Sequence, residues 1–563
     1  MSLLFVSIGV IGIRQQAPVP ILLSFAVLVG LVLRYRSYDS LSGLCVVLVF
    51  FYPGPNSGWL YGLDAHNVAL NAVRIRQSGW PLPESEYFNP GFPETPLLHI
   101  HTIISSMITN TDIFPELQGL MLISWLLPLL FTLVTIFICF ALVRIYRPGE
   151  AVFLLLPLLL WIPFVRFHTG LRRQSLGIVY FALILLVVYL DNIKSRSSEG
   201  AAWKTDPRYV LIGGVGAFAL GLTHHVTNIL LWAFIVCFLV SLGYLRYISG
   251  IKSRGILVAG IVIAVSLIAR LLVLIRTGSS VLSHAGSLTD LVVLSDILSS
   301  IGGTSGGSSG GPLPYTPITT SLYTKLSKFL SMWIYQIVLA IPIVLGILGG
   351  WSQQRATEEQ VIRISQLLFG LFIGSLSVVA WLTPTIDFRR VMTIFVLSAG
   401  WLSLNEVVSW SEHSPLRVQR VAPAVFVTIL IILSTSMVPP HLVSNQPPNY
   451  QQGVLDQRFP QQLYATGDHV ESYPGYGQMI GDSHVSEVVG TTVNRQIVSN
   501  PEAIIRAKVP PDSSVVLQQY NNKYYSGVSQ EFGPVSFSKK SVFESYSRKH
   551  SKVYSNGWVK IYR

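Results

Sequence analysis

Charge is what this chain of 563 residues has least of. Only 12% of its residues are Asp, Glu, Lys or Arg, against 51% hydrophobic. Soluble domains carry about a quarter charged residues, so a soluble fold for the whole chain is excluded. Cysteine is nearly absent as well. Cys45, Cys139 and Cys237 all lie in apolar segments, so the polar remainder must fold without disulfides. There is no CxxC and no Cys/His spacing of the kind that holds a metal. Basic runs interleaved with aromatics are missing from the polar segments, so the net charge of +12 does not point to nucleic acid. The first dozen residues lack both a positive flank and a clean cleavage site. They read as a short membrane segment rather than a removed signal peptide.

What the chain does have is long uncharged runs. Leu117–Val143 and Val226–Leu245 contain no charged residue, and each can cross a ~30 Å hydrocarbon core at about 1.5 Å per residue. The apolar segments fall at about 2–13, 19–33, 40–53, 117–143, 151–165, 174–190, 209–223, 226–245, 255–275, 329–350, 366–383, 391–404 and 421–438. The expected fold is an all-α polytopic membrane protein of about 11–13 transmembrane helices, followed by a small α+β domain. Residues 1–438 form the membrane part and 439–563 the polar domain.

Basic residues choose a side. Arg34/Arg36, Arg144/Arg147, Lys194/Arg196/Lys204/Arg208, Arg246/Lys252/Arg254, Arg355/Arg363 and Arg417/Arg420 occupy alternate short loops. The positive-inside rule makes these cytoplasmic. A cell-membrane, multi-pass protein with its N-terminus inside and its tail outside follows. Asp64, Arg166, Arg172, Arg173, His224, His225, Asp387, Arg389, Arg390 and residues 439–563 then share the outer face.

Two external loops are long. Residues 54–116 hold six acidic residues and two arginines. Asp64–Gln77 reads as a short helix with Asp64 as N-cap. Leu97–Ile108 reads as a second, apolar helix at the interface. Prolines 81, 83, 90, 93 and 96 set turns between them. The loop 276–328 has an amphipathic stretch, Ser287–Ser300, and the Gly/Ser-rich run Gly302–Gly311, which reads as a lid or a plain linker. In the tail, Ser514–Gln519 reads as a strand. Asn556-Gly557 between alternating segments reads as a closing hairpin.

Four polar groups could carry chemistry. Gly62-Leu-Asp64-Ala-His66-Asn67 offers a carboxylate near the interface, as general base or merely as a helix cap. His99 and His101 are two residues apart and on a helix do not share a face, which disfavours joint metal binding. Arg166-Phe-His168-Thr-Gly-Leu-Arg172-Arg173 places three arginines where topology does not require them. The guanidinium fork suits phosphate, and snorkelling to lipid headgroups is the plainer role. Thr223-His224-His225-Val-Thr227-Asn228 joins two apolar helices, either contacting substrate or filling a tight turn. Asp387-Phe-Arg389-Arg390 again puts arginines on the outer face. Arg270, inside an apolar span, is a site candidate by default.

The run Gly62-x-Asp64-x-His66, Gly79-Trp-Pro81, Tyr87 and Pro96-x-x-His99 resembles the first-loop signature of archaeal GT-C membrane glycosyltransferases that use dolichyl-phosphate sugars. Leu222-Thr-His224-His225-x-Thr227 and Tyr554-Ser-Asn-Gly-Trp-Val-Lys-Ile-Tyr562 resemble further segments of that group. The likeness is greatest to dolichyl-phosphate-mannose mannosyltransferases of S-layer N-glycosylation. It implies an inverting transfer of one sugar, with mannose expected, from a dolichyl- or polyprenyl-phosphate donor. The implied acceptor is a protein- or lipid-linked glycan, on an S-layer or other surface glycoprotein. Asp64 would be the catalytic base. Arg172, Arg173, Arg389, Arg390, His224, His225, His66 and His99 would bind lipid phosphate or sugar.

Two departures narrow the expectation. The oligosaccharyltransferase signature Trp-Trp-Asp-Tyr-Gly is absent, which argues against transfer of a whole glycan to asparagine. The first loop has one aspartate rather than an acidic pair, so no cofactor is expected and a divalent metal is not supported. A transporter or flippase of lipid-linked saccharides is the alternative. It would place ionisable groups near the midplane and show repeats, and the sequence shows neither.

Overall fold

The computed structural model describes residues 2–14, 18–35, 38–51, 63–79, 96–109, 117–161, 164, 173–194, 206–249, 255–277, 316–317, 322–352, 358–382, 388–412, 415–435, 461–481, 485–486, 489–490, 497–499, 504, 509–510, 512–520, 524–529, 533–538, 551–556 and 559–563. The expected segment Ser287–Ser300, the Gly302–Gly311 run and the prolines between 81 and 93 lie outside these.

Each expected apolar span has a helical counterpart. The first three are α1 (Ser2–Arg14), α2 (Pro18–Tyr35) and α3 (Tyr38–Phe51), which pack on one another. The first long loop supplies α4 (Leu63–Ser78) and α5 (Pro96–Thr109). The bundle continues with α6 (Leu117–Tyr146), then α7 (Ala151–Leu154) and α8 (Leu156–Leu160). It is completed by α9 (Arg173–Lys194), α10 (Pro207–Gly221), α11 (His225–Ser249), α12 (Gly255–Thr277), α13 (Leu322–Ser352), α14 (Glu358–Leu382), α15 (Phe388–Glu412) and α16 (Leu416–Thr435). Among the described residues, six helices are long and apolar enough to cross a membrane.

The fifth expected span is broken where Leu155 separates α7 from α8, with Pro157 in the first turn of α8. Inside a bilayer no water can satisfy the carbonyls left free where so short a helix as α8 ends. Neighbouring helices do it instead. Tyr335 of α13 donates its hydroxyl to the Pro157 carbonyl at 2.6 Å, and Ser434 of α16 donates to the Leu160 carbonyl. Trp161 donates its indole N–H to Thr393 of α15 at 2.9 Å.

Lipid tails are as apolar as leucine, so helices in a membrane associate through close packing of small residues. Helix α10 lies against α9 and α12 on that basis. A Cβ on Gly213 would sit 3.4 Å from Val187 and Val262, and one on Gly216 would sit 3.4 Å from Ile184. At Gly221 it would be only 2.7 Å from the Ala269 side chain and 2.8 Å from the Ser266 carbonyl. These glycines let α10 pack closely on α9 and α12.

Arginines of two separate basic loops meet at one end of α15. Arg147 reaches Asn405 at 3.2 Å, Ser409 at 2.6 Å and both Glu412 oxygens at 3.1 Å. Arg363 holds the buried Glu406 at 2.8 Å and the exposed Glu359 at 3.5 Å. Gly346 of α13 makes room here, because a Cβ would force the Glu406 carboxylate to shift. Removing Arg363 leaves Glu406 buried and uncompensated. Arg363→Ala is therefore expected to cost about 3–5 kcal/mol, against at most about 1 kcal/mol for the exposed partner in Glu359→Ala. Thermal unfolding in detergent micelles measures both, and equal effects would show that the Glu406 pair does not support the bundle.

The tail adds α17 (Gln461–Ser472) and a sheet of β1 (Thr316–Pro317), β2 (Gln478–Gly481), β3 (Val498–Ser499), β4 (Ser513–Tyr520), β5 (Tyr524–Ser529), β6 (Gly533–Ser538), β7 (Lys552–Ser555) and β8 (Val559–Tyr562). The order is β1-β6-β5-β4-β2-β3, with β8 joining β4 to β7. Strand β2 runs parallel to β3 and β4; β4 and β8 are antiparallel. Leu463, Val470, Met479, Val516, Val559 and Ile561 form the core beneath α17. The expected hairpin is present, but β7 and β8 are joined by three residues rather than two, and the register shifts between Lys552 and Tyr554. Asn556 closes the loop by accepting the Val559 N–H on Oδ1 at 2.9 Å. Strand β1 comes from the long stretch of chain after α12 and pairs antiparallel with β6 of the tail.

Candidate active site

The site assembles around the turn between α10 and α11. Thr223 and His224 fold back on Leu220 by backbone N–H bonds of 3.0 and 3.2 Å, and the Thr223 hydroxyl donates to the Ala219 carbonyl. His224 then begins α11. Its Nδ1 accepts the Thr227 backbone N–H at 3.2 Å and contacts the Thr227 hydroxyl at 2.7 Å. This is an N-cap played by an imidazole in place of the usual Ser or Asp oxygen. Accepting at Nδ1 fixes the neutral tautomer with its proton on Nε2. The plainer role weighed for this histidine is thus partly correct, since one nitrogen serves the turn. His225 packs beside it, with ring centroids 5.4 Å apart.

Helix α5 docks on the same turn. Leu97 donates its backbone N–H to the Leu222 carbonyl at 3.4 Å, which sets the first turn of α5, and His99 with it, against the α10–α11 turn. His99 is fully buried. Two residues on, His101 faces α9 and α6, with Nε2 3.4 Å from the Tyr180 hydroxyl and its ring 6.4 Å from Phe131. Burial lowers the His101 pKa from its ordinary value, which favours the neutral ring. His101 thus turns to α9 and α6. Among the described residues no three His, Cys, Asp or Glu side chains gather as a metal set.

Helix α9 brings the arginine motif to this place. A Cβ on Gly177 would lie 3.2 Å from both His224 Cβ and Thr227 Oγ1, so α9 and α11 are in close contact there. Arg173, the first residue of α9, stands one turn before Gly177. Between them Gln174 is 4% exposed, and across the contact Asn228 is 1% exposed. Gln174 Oε1 and Asn228 Oδ1 accept no hydrogen bond among the described residues. Two buried acceptors without donors cost free energy that a hydroxylated ligand could recover. On the other flank, Gly221 lets Ser266 and Arg270 of α12 approach, and Arg270 is 7% exposed.

Asp64 and His66 stand in the first turn of α4, which packs on α5. Because α4 begins at Leu63, Asp64 is its second residue, two positions past the cap rather than at it. It sits where the helix dipole favours a carboxylate. Arg389 and Arg390 occupy the first turn of α15. The side chains of Asp64, His66, Arg389 and Arg390 lie outside the described residues, as do Arg166, His168, Arg172 and Asp387 altogether. The structure therefore brings His99, Arg173, His224, His225 and Arg270 to one end of the bundle, with α4 on their edge. Gln174 and Tyr180 were missed in the sequence. The available signal was a hydrogen-bonding side chain in an otherwise apolar helix.

No family model matches this sequence, and no curated protein does. Among solved structures the chain is similar to the archaeal oligosaccharyltransferase AglB from Archaeoglobus fulgidus in complex with an inhibitory peptide and a dolichol-phosphate. That likeness has a TM-score of 0.50 at 12% identity and covers 83% of this chain and 65% of that one. The fold is GT-C-like. Two crystal structures of the oligosaccharyltransferase from the same organism are also similar. The apo form gives a TM-score of 0.48 at 10% identity over 86% of this chain and 70% of that one. The complex with zinc and sulfate gives 0.46 at 11% over 84% and 67%. The chain thus spans about two thirds of the length of these proteins. The GT-C-like fold accounts for the arrangement described above: a multi-helix membrane part, a structured first loop, and a polar domain after the last span.

Proposed function

We propose that this chain is a membrane glycosyltransferase that moves a single sugar, mannose in the reading favoured here, from a dolichyl- or polyprenyl-phosphate carrier to a glycan acceptor. One observation carries the proposal. The docking of α5 on the α10–α11 turn gathers the first-loop histidine, the start of the arginine-bearing α9 and the histidine cap into one polar end of a GT-C-like bundle. In support, AglB, similar in fold, is recorded with a dolichol-phosphate.

In this mechanism Asp64 takes the proton of an acceptor hydroxyl as its oxygen attacks the anomeric carbon. The bond from that carbon to the phosphate oxygen breaks, and lipid phosphate leaves with the electron pair. Configuration inverts, as when a carboxylate base activates the nucleophile in inverting glycosidases. Arginines at the starts of α9 and α15 offset the charge that grows on the leaving phosphate. No metal is needed in this form. Buried Gln174 and Asn228 accept hydroxyl protons of the sugar. The absence of Trp-Trp-Asp-Tyr-Gly favours a single sugar over a whole oligosaccharide as the transferred group.

The test is incubation of the purified chain with radiolabelled dolichyl-phosphate sugars and a glycan acceptor. Label passing to the acceptor from the mannose donor is expected. Transfer only from a lipid-linked oligosaccharide would replace this function with the oligosaccharyltransferase one.

The same proposal places the tail on the outer face of the cell membrane. Ser526→Cys, on β5, is expected to react with an impermeant thiol reagent in intact cells. Labelling only after lysis would invert the topology, and with it the face on which the site opens.

A further inference from the structure

The tail carries an aromatic cluster that the transfer chemistry does not use. His469 of α17 stacks on Tyr554 of β7, with ring centroids 3.9 Å apart and planes 16° from parallel. Tyr473 leans on the other side of the group, 4.7 Å from His469. Tyr476 anchors it from below: its hydroxyl lies 2.6 Å from His469 Nε2, and its ring belongs to the domain core. Asn556 donates to the Tyr554 hydroxyl at 3.1 Å and to Thr466 at 3.2 Å, which locks the closing hairpin to α17.

The group is held rigidly, yet it ends in solvent. Tyr473 follows α17 directly and donates its backbone N–H to Val470. Pro474-Gly475-Tyr476 then makes one 3-10 turn, and Gly477 at φ 61° reverses the chain in a conformation that a side chain would strain. Despite this anchoring, Tyr473 is 59% exposed. Asp468 and Glu471 are exposed on the same helix, and Arg563 lies beside the turn, with Nη1 3.7 Å from the Cβ position of Gly475. Partial burial lowers the His469 pKa from its ordinary value, so the stack is neutral near pH 7.

A ring cluster of this kind can take a cation, a second protein surface or a sugar. Cation cages splay their rings around a gap, whereas His469 and Tyr554 are in direct contact and leave none. A pyranose has one face of C–H bonds, which suits the negative face of an aromatic ring. Around its edge are hydroxyls that need donors and acceptors together. The helix that carries it exposes two carboxylates, and a guanidinium lies beside the turn that follows. Rigid tyrosine surface also costs little entropy on binding.

We infer that Tyr473, backed by His469 and Tyr554, is a carbohydrate-binding platform that holds the acceptor glycan on the tail. The inference rests on the glycosyltransferase reading for the identity of the glycan as acceptor. Pairing of β1 with β6 ties the tail to the loop after α12, so a glycan held here stays near the membrane part.

The experiment measures binding of neutral mannose-, glucose- and galactose-containing oligosaccharides to the purified full-length chain in detergent, by array and by saturation-transfer NMR. Wild type is expected to bind at least one of them. Tyr473→Ala should weaken that binding roughly three- to tenfold. Tyr473→Trp, which enlarges the ring face, should retain it. Arg417→Gln, in the first turn of α16 and away from the tail, should bind like wild type. No binding by wild type, or equal binding by wild type and Tyr473→Ala, overturns the platform. So does Tyr473-dependent self-association in light scattering, which would make the cluster a contact between two copies. Sugar transfer without oligosaccharide binding would sink this inference alone. Oligosaccharide binding without any transfer would sink the enzymatic reading and leave the platform standing.

Discussion

Asp64→Asn is expected to abolish sugar transfer while leaving the protein folded and inserted. The amide matches the carboxylate in size and keeps its hydrogen-bonding shape, but it cannot accept a proton. A positioned general base contributes about 10²–10⁴ in rate, so a fall of that size should appear in initial rates under saturating donor. Asp64 stands in the first turn of α4, where its charge also favours the helix. Losing that interaction costs about 0.3–1 kcal/mol of stability, which the bundle absorbs. The two roles therefore separate cleanly. A purely structural Asp64 gives a small thermal shift and transfer within about tenfold of wild type, less than roughly 1.4 kcal/mol of barrier. A catalytic Asp64 gives the same small shift with transfer lost. The first of these outcomes would remove the base from the proposed mechanism.

The helices were legible because uncharged runs in a chain this poor in charge have only one solvent to live in. The break at Leu155 was not. Nor were Tyr335 and Ser434, which satisfy the last carbonyls of α8 from helices far along the chain. The basic loops assigned residues to one side, and the meeting of Arg147 with Glu412 and of Arg363 with Glu406 brings two of those loops to the same end of α15. In the tail, Asn556-Gly557 announced a hairpin because its turn chemistry is local. The parallel pairing of β2 with β3 and β4 left no such mark, since nothing in the chain between parallel strands encodes their neighbours.

The site was half legible. Its residues could be named, because histidine, arginine and aspartate are conspicuous beside apolar segments. Their convergence could not be named. It rests on one backbone bond from Leu97 to Leu222 and on the glycines at 177 and 221 that allow helices to touch. Small residues carry no chemistry of their own, so sequence reading passed over them. The buried acceptors Gln174 and Asn228 become visible only once those contacts are made.

The external arginines should act on donor binding rather than on fold. Arg173 stands at the start of α9, with Arg172 before it in the sequence, and Arg389 and Arg390 stand at the start of α15; on the proposed topology the positive-inside rule calls for no positive charge there. A lipid phosphate at that depth would meet a guanidinium fork with two parallel charged hydrogen bonds. Arg→Lys keeps the charge but loses the fork, so transfer should weaken at one or more of the four positions. Arg→Gln removes the charge as well. Each charge-assisted bond contributes about 1.5–3 kcal/mol, so dolichyl-phosphate affinity should fall roughly ten- to a hundredfold at the position that holds it. Arg417, in the first turn of α16 at the opposite end of the bundle, is the control, and Arg417→Gln should leave transfer intact. If all four external Arg→Gln variants bind dolichyl phosphate like wild type, the phosphate lies elsewhere. Arg270 would then be first in line. It is 7% exposed and is brought beside the His224 turn by the close approach of α12 to Gly221. Arg166 would follow, and the same binding measurement on Arg270→Gln would decide between them.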